Sequence, residues 1–237
     1  MEVGRIVQGT LLCINLSIIF VASLYIWDRI DPKSARLSRD NHKLIKRRTL
    51  SVVVSSIIAG AVTWVYGGNL DFGATSANPM GLTALQITVL MIGPISDQRA
   101  KLAKRPRIDL AFIRTVIVAP IFEEFVFRLC FHEILTVSGY SVNAALVVSP
   151  LLFAAAHVHH HWSSCTNSQI AGQVVHTCVF GWLGGYLLVT RSLWDAILAH
   201  AICNYIGLPS YSKTPRLIRL SLYAVGLVTF LGSIFRL

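Results

Sequence analysis

The sequence predicts an all-α, polytopic integral membrane protein with about eight transmembrane helices around a polar intramembrane cavity. Of its 237 residues, 54% are hydrophobic and only 14% are charged, whereas a soluble domain carries about 25% charged residues. The apolar residues form long runs without strand-like alternation, which favours helices over a membrane β-barrel. Because no Pro/Gly/Ser-rich linker divides these runs, residues 1–237 are expected to form one membrane-embedded domain.

Eight apolar runs are the candidate spans. A spanning helix needs about 20 mainly apolar residues, and the third, fifth and seventh runs are the short ones. The first run is longer than a signal-peptide core and has no Ala-x-Ala-like site after it, so we expect a retained helix. In chain order the runs are Ile6–Trp27, Leu50–Tyr66, Met80–Ile95, Leu110–Leu135, Asn143–His157, Ile170–Val189, Leu193–Ile206 and Leu217–Phe235.

The basic residues predict the orientation of the chain in the membrane. The formal charge is +10, with 21 Lys and Arg against 11 Asp and Glu. In a soluble chain this excess would suggest nucleic-acid binding, but here it lies between apolar runs, so we expect the bilayer and no nucleic acid as the partner. Residues 28–49 and 96–109 are strongly basic, and the positive-inside rule makes their common side cytoplasmic. Lys213 and Arg216 fall on that side, Arg191 is a lone charge on the opposite side, and the polar connection Asn69–Pro79 suggests no chemistry.

The five cysteines do not suggest a redox or thiol site. They form no Cys-x-x-Cys pair, and four of them lie within apolar runs, which predicts small, reduced and buried side chains. A catalytic thiol needs an accessible, electropositive setting, and Cys165 alone lies outside a clear span. The cysteines are Cys13, Cys130, Cys165, Cys178 and Cys203.

Charged residues within a membrane helix are costly, so they are candidates for a functional site. Glu123, Glu124 and Arg128 lie in the middle of the longest run, one turn after Pro120, which would open the helix and free backbone groups. Glu124 and Arg128 share a helix face, whereas Glu123 projects about 100° away. We therefore predict that Glu124 pairs with Arg128 as structural support and that Glu123 faces the cavity as a base. The alternative is a purely structural ion network.

Histidines mark two further places. His200 and Asn204 share a helix face and can donate together to one developing negative charge, although a membrane histidine is more often a simple hydrogen-bonding group. His157 ends the fifth run, and His161 lies one turn beyond it, which suggests a metal site. No His-Glu-x-x-His arrangement supports this, so no metal is favoured. Four other polar residues are explained as interfacial, solitary or helix-capping groups: His132, Glu133, His176 and Asp195.

Three segments resemble the motifs of the CPBP intramembrane protease superfamily, in the same order: Glu-Glu-x-x-x-Arg at Glu123–Arg128, Phe-x-x-x-His at Phe153–His157 and His-x-x-x-Asn at His200–Asn204. More narrowly, residues 156–160 and 200–209 look like the eukaryotic type II CAAX prenyl endopeptidases. The resemblance covers about residues 110–209. The other helices are similar in hydrophobicity only.

The resemblance implies removal of the last three residues, aaX, from farnesylated or geranylgeranylated CAAX proteins such as Ras-like small GTPases. It implies a multi-pass protein of the endoplasmic reticulum membrane, with a site open to the cytosol. We expect Glu123, assisted by His157, to activate water, and His200 with Asn204 to hold the oxyanion. If a divalent metal such as zinc is used, His157 and His200 with Glu123 are its expected ligands. The competing hypotheses are an ion or proton transporter and a non-catalytic membrane scaffold of the same superfamily.

Overall fold

The computed structural model describes residues 2–73, 80–158, 167–207 and 215–234, and every regular element within these ranges is helical. A 3₁₀ helix covers Pro32–Arg36, and π-helical segments cover Arg114–Val118 and Phe125–Cys130. The α-helices are α1 (Glu2–Ile30), α2 (His42–Tyr66), α3 (Met80–Leu90), α4 (Ile92–Leu102), α5 (Leu110–Ile113), α6 (Ala119–Glu124), α7 (Phe131–Val137), α8 (Val142–His157), α9 (Asn167–Thr190), α10 (Leu193–Ile206) and α11 (Arg216–Ile234).

The helices confirm an all-α membrane protein. Within the described ranges, α1, α2 and α9 are long and apolar enough to cross a bilayer, and the bent pair of α3 and α4 would make a fourth span. Two shorter apolar helices cover Val142–His157 and Leu217–Ser233. The number of eight spans stays a prediction.

The third predicted span is wrong as a single straight helix. The chain bends by 88° between α3 and α4, because Pro94, in the first turn of α4, has no N–H to donate to the α3 backbone. Tyr223 of α11 packs into the bend, where a Cβ on Gly93 would lie 2.6 Å from the tyrosine ring. The Tyr223 hydroxyl donates to Asp97 at 2.9 Å, so α11 holds α4 at this angle.

The fourth predicted span is helical from end to end but irregular. Two π-helical segments flank α6, and in the first of them the Ala119 N–H reaches back five residues to the Arg114 carbonyl. Pro120 is the second residue after this segment, where its missing N–H makes regular α-helical bonding impossible. The helix is therefore widened on both sides of the two glutamates, in agreement with the effect expected of Pro120.

The two basic segments lie at the same end of the molecule. Arg114, at the beginning of the irregular helix, donates to Asp40 at 3.1 Å. Asp109 caps α5 by accepting from the Phe112 N–H at 3.0 Å, and this hydrogen bond lowers the pKa of Asp109. Within the first basic segment, hydrogen bonds from Arg47 and then Lys43 lower the pKa of Asp31. These contacts support the common side predicted for the two segments.

Candidate active site

Three helices bring the predicted site residues together. Glu123 and Glu124 end α6, His157 ends α8, and His200 lies in the second half of α10. Glu123 Oε2 lies 3.7 Å from His157 Nε2 and 3.9 Å from His200 Nε2. The side chain of Glu123 is 20% exposed, so it faces an open space rather than the closed interior.

Glu124 has a different environment from its neighbour. Its side chain and that of Arg128 are completely buried, with Glu124 Oε2 and Arg128 Nε 3.0 Å apart. Glu124 Oε1 also lies 2.8 Å from His200 Nδ1. The structure therefore places the two carboxylates on different partners, as the helix geometry predicts, and joins Arg128, Glu124 and His200 in one buried chain.

Two glycines of α9 make room for the buried ion pair. A Cβ on Gly184 would lie 2.7 Å from Glu124 Oε2 and 2.9 Å from Arg128 Nε. A Cβ on Gly181 would lie 3.0 Å from Pro150 and 3.5 Å from Arg128 Nη2. Sequence reasoning missed these positions. The signal was present in the closely spaced glycines of an apolar helix, which allow another group to approach the backbone.

Phe153 explains the spacing of the Phe-x-x-x-His segment. Its carbonyl accepts from His157 Nδ1 at 2.8 Å, one turn along the helix. Its buried ring lies against the Arg128 guanidinium, with 4.1 Å between the Arg128 Cζ and the ring centroid, which is a cation–π distance. Phe153 therefore orients the histidine and covers the arginine at the same time.

The hydrogen bonds of the two Nδ1 atoms determine whether the Nε2 atoms that face Glu123 carry a proton or a lone pair. A backbone carbonyl only accepts, so His157 Nδ1 carries a proton, and the carboxylate of Glu124 requires the same of His200 Nδ1. In the neutral rings both Nε2 atoms then hold lone pairs. Glu123 Oε2 and the two Nε2 atoms form an acceptor-lined position that suits a water molecule donating its hydrogens.

Asn204 lies one turn beyond His200 on the same helix. Its Nδ2 donates to the Thr115 carbonyl at 2.9 Å, in the first π-helical segment. This contact uses one of the two N–H donors of the amide and fixes the orientation of the group. The second N–H remains for a ligand, so His200 and Asn204 keep the shared face predicted from their spacing.

A carboxylate and two imidazoles, as in Glu123, His157 and His200, are a donor set that catalytic zinc sites also use. In the described part of the chain, however, no group of three His, Cys, Asp or Glu side chains has the arrangement needed to hold a metal ion. The separations of 3.7 and 3.9 Å between Glu123 and the histidines also leave room for a water molecule. His159, His160 and His161 lie outside the described residues, and so do Cys165 and Lys213.

The sequence did not predict the contacts of Arg191, which was interpreted only as a lone charge on the opposite side. Arg191 is buried, and its guanidinium donates to Gln86 at 2.7 Å and to Thr83. Thr83 donates in turn to Asp195 at 2.5 Å, and Ser192 donates to the other carboxylate oxygen at 2.5 Å. Asp195 therefore has a part in a buried network as well as in the first turn of α10.

The remaining polar candidates have ordinary contacts. Glu133 accepts from the Asn69 N–H at 2.9 Å, near the end of the helix that carries it. Four of the five cysteines are described, and these are free thiols, as expected: Cys13, Cys130, Cys178 and Cys203.

Known proteins are similar to this chain in sequence. A family model described as type II CAAX prenyl endopeptidase, Rce1-like, matches residues 107–206. The chain is 32% identical to "Probable CAAX prenyl protease 2" of Schizosaccharomyces pombe, over 82% of this chain and 79% of the relative. It is 29% identical to "CAAX prenyl protease 2" of Homo sapiens, over 84% and 70%, and 37% identical to that of Caenorhabditis elegans, over 52% of each. No solved structure matches.

Proposed function

The chain belongs to the Rce1-like type II CAAX prenyl endopeptidase family, and we infer that it is an intramembrane endopeptidase that removes aaX from prenylated CAAX proteins. One observation gives this proposal an atomic basis. A partly exposed carboxylate, Glu123, faces the Nε2 atoms of His157 and His200 at 3.7 and 3.9 Å. Peptide hydrolysis within a membrane requires such a polar position, because water is otherwise scarce there.

In the proposed mechanism Glu123 is the general base. Its Oε2 takes a proton from a water molecule, and His157 Nε2 accepts the second hydrogen of the same water and orients it. The water oxygen attacks the carbonyl carbon of the prenyl-cysteine. When the C–N bond breaks, Glu123 returns the proton to the leaving nitrogen of the first residue of aaX. Positioned acid–base catalysis of this kind contributes about 10²- to 10⁴-fold in rate.

His200 and Asn204 would hold the oxyanion. The second N–H of Asn204 is available because only one is bound to the Thr115 carbonyl. His200 donates through Nε2 only when its ring is an imidazolium, because its Nδ1–H is held by Glu124. Glu124 and Arg128 would act one step further from the substrate, by fixing the ring of His200.

An apolar groove beside the site supports a prenylated substrate. The groove, about 610 Å³ in volume, lies between α2, α6 and α10. Phe122 lines it next to Glu123, and Ile197 lines it three residues before His200. Exposed apolar side chains, including Ile57 and Trp64, border the groove. An isoprenoid chain that enters it from the lipid would be held by van der Waals packing, because lipid is already as apolar as the groove.

We propose that the reaction needs no resident metal. The support is the proximity of the Glu123 carboxylate and the His157 imidazole, which can bind and deprotonate water without one.

We also propose that the enzyme acts in the endoplasmic reticulum membrane, with its site open to the cytosol, on substrates that include Ras-like small GTPases. The support for the orientation is the pair of basic segments joined by Arg114 and Asp40, which the positive-inside rule assigns to the cytosol. Asn204 contacts Thr115, which follows Arg114, so the site is nearer to that end of the helices.

The test uses detergent-purified protein with a farnesylated CAAX peptide and its unprenylated twin, each with and without a chelator. We expect mass spectrometry to detect aaX from the prenylated peptide alone, in both buffers. Loss of activity in chelator, restored by zinc, would refute the metal-free mechanism. A folded protein that cleaves neither peptide would refute the proposed activity.

A further inference from the structure

Lys101, in the last turn of α4, lies at the end of the helix that carries His200 and Asn204. Its Nζ is 3.3 Å from the Tyr205 carbonyl oxygen and 3.4 Å from that of Ile206, the last two residues of α10. A Cβ on Gly207 would lie 3.5 Å from the same atom. The 88° bend between α3 and α4 brings this lysine of the second basic segment to the site helix.

The Lys101 ammonium has capacity for a ligand. It carries three N–H donors, and the two carbonyls accept from it. The residue is exposed. In the part of the chain that the structure describes, no Asp or Glu oxygen lies within 4.0 Å of it. By contrast, Arg114 pairs with Asp40, and Arg128 is buried with Glu124.

The distance along α10 matches the length of the peptide to be removed. Gly207 follows His200 by seven residues, which corresponds to about 10 Å at 1.5 Å per residue. Three extended residues also span about 10 Å. A peptide that is cleaved at the level of His200 and runs along α10 would thus place its C-terminal carboxylate near the end of the helix.

Electrostatics favour this direction. A carboxylate is costly within the bilayer, so the free end of the substrate must reach the aqueous side. The C-terminal carbonyls of α10 would repel it, because a helix carries about half a negative charge at that end. Lys101 binds these carbonyls and reverses the sign of the local charge.

We propose that Lys101 binds the C-terminal carboxylate of the substrate and thereby determines that three residues are removed. This proposal rests on the proposed endopeptidase function, since it concerns the same substrate. It makes Lys101 a specificity-determining residue outside the three motifs.

The experiment compares farnesylated CAAX peptides that end in a free carboxylate or a carboxamide. We expect the wild-type protein to cleave the acid with a kcat/KM about tenfold or more above that of the amide, as for a hydrogen bond to a charged group. In Lys101→Ala and Lys101→Met, the ratio of acid to amide should fall to about one. Lys104→Ala, which removes an exposed lysine three residues further on, should keep the wild-type ratio.

The outcomes separate the two proposals. Equal cleavage of acid and amide by the wild-type protein would overturn the role of Lys101 and leave the endopeptidase function intact. A Lys101→Met variant that loses activity equally on both peptides would show that the lysine only caps α10. If the folded wild-type protein cleaves neither peptide, both proposals are wrong.

Discussion

Two arginines are buried among the membrane helices, and their surroundings differ. Arg128 contacts a carboxylate directly, with 3.0 Å between its Nε and Glu124 Oε2. Arg191 contacts no carboxylate in the described residues and reaches Asp195 through the hydroxyl of Thr83. Both networks join several helices, but only the first has a partly exposed carboxylate, Glu123, beside it.

This difference teaches that a buried charge in a membrane helix does not by itself mark an active site. The Arg191 network satisfies its members internally and leaves nothing for a substrate. In the Arg128 network, His200 connects the buried ion pair to Glu123, because its Nδ1 binds Glu124 while its Nε2 faces Glu123. The proposed site therefore rests on the connection between a buried ion pair and a partly exposed carboxylate.

The largest effect is expected for Glu123→Gln, which keeps the shape of the side chain and removes the base. We expect kcat/KM to fall by at least about 10³-fold, within the range of acid–base catalysis. The thermal midpoint in detergent should stay close to that of the wild-type protein, because Glu123 is partly exposed. Substantial activity in purified Glu123→Gln would contradict its role as the base.

The next largest effect is expected for Arg128→Met. Removing one partner of a buried ion pair costs about 3–5 kcal/mol, because Glu124 is left as an uncompensated charge. The measurement is the free energy or midpoint of unfolding in detergent. The double variant Arg128→Met/Glu124→Gln is the control, and it should recover part of the loss. No recovery would show that the packing of Arg128 on Phe153 matters more than its charge.

Asn204→Ala tests the proposed oxyanion site, which Asn204 would form together with His200. Losing one oxyanion donor typically lowers the rate about 10²- to 10³-fold. We expect this loss mainly in kcat on the farnesylated peptide, with a normal folded yield. Because Asn204 also contacts the Thr115 carbonyl, circular dichroism should accompany the kinetics. A change in KM alone would argue against a role in the transition state.

The smallest of these effects is expected for Arg191→Met. Asp195 would keep its hydrogen bonds from Thr83 and Ser192, so the loss should resemble that of buried hydrogen bonds, about 1–3 kcal/mol. Folded enzyme should cleave the prenylated peptide at nearly the wild-type rate. A destabilisation equal to that of Arg128→Met would remove the distinction between the two networks.

The sequence predicted much of the site, because helix geometry is regular. A separation of four residues places Glu124 with Arg128 and His200 with Asn204, and the structure has both pairs on common faces. The opposite directions of Glu123 and Glu124 follow from the same 100° rotation. All-helical structure followed from composition, since the backbone must satisfy its own hydrogen bonds in lipid.

The parts that could not be predicted depend on contacts between distant segments. The role of Arg191 requires Thr83 and Gln86, which lie more than 100 residues away in the sequence. Pro94 permits the bend between α3 and α4, but its angle depends on the packing of Tyr223 against Gly93. No periodicity within one helix reveals such partners. The position of Lys101 at the end of α10 follows from that bend, so it could not be predicted from the sequence either.

The two π-helical segments around α6 also restrict how this chain can change in length. Each π turn holds one residue more than an α turn, and one residue corresponds to a rotation of about 100°. A single deletion within residues 114–118 would convert the π turn into an α turn, so Glu123 would keep its direction toward the histidines. A single insertion there has no such outlet and would turn Glu123 away from the histidines, although every side chain of the site was still present. The length of this stretch is thus a constraint separate from the identity of its residues.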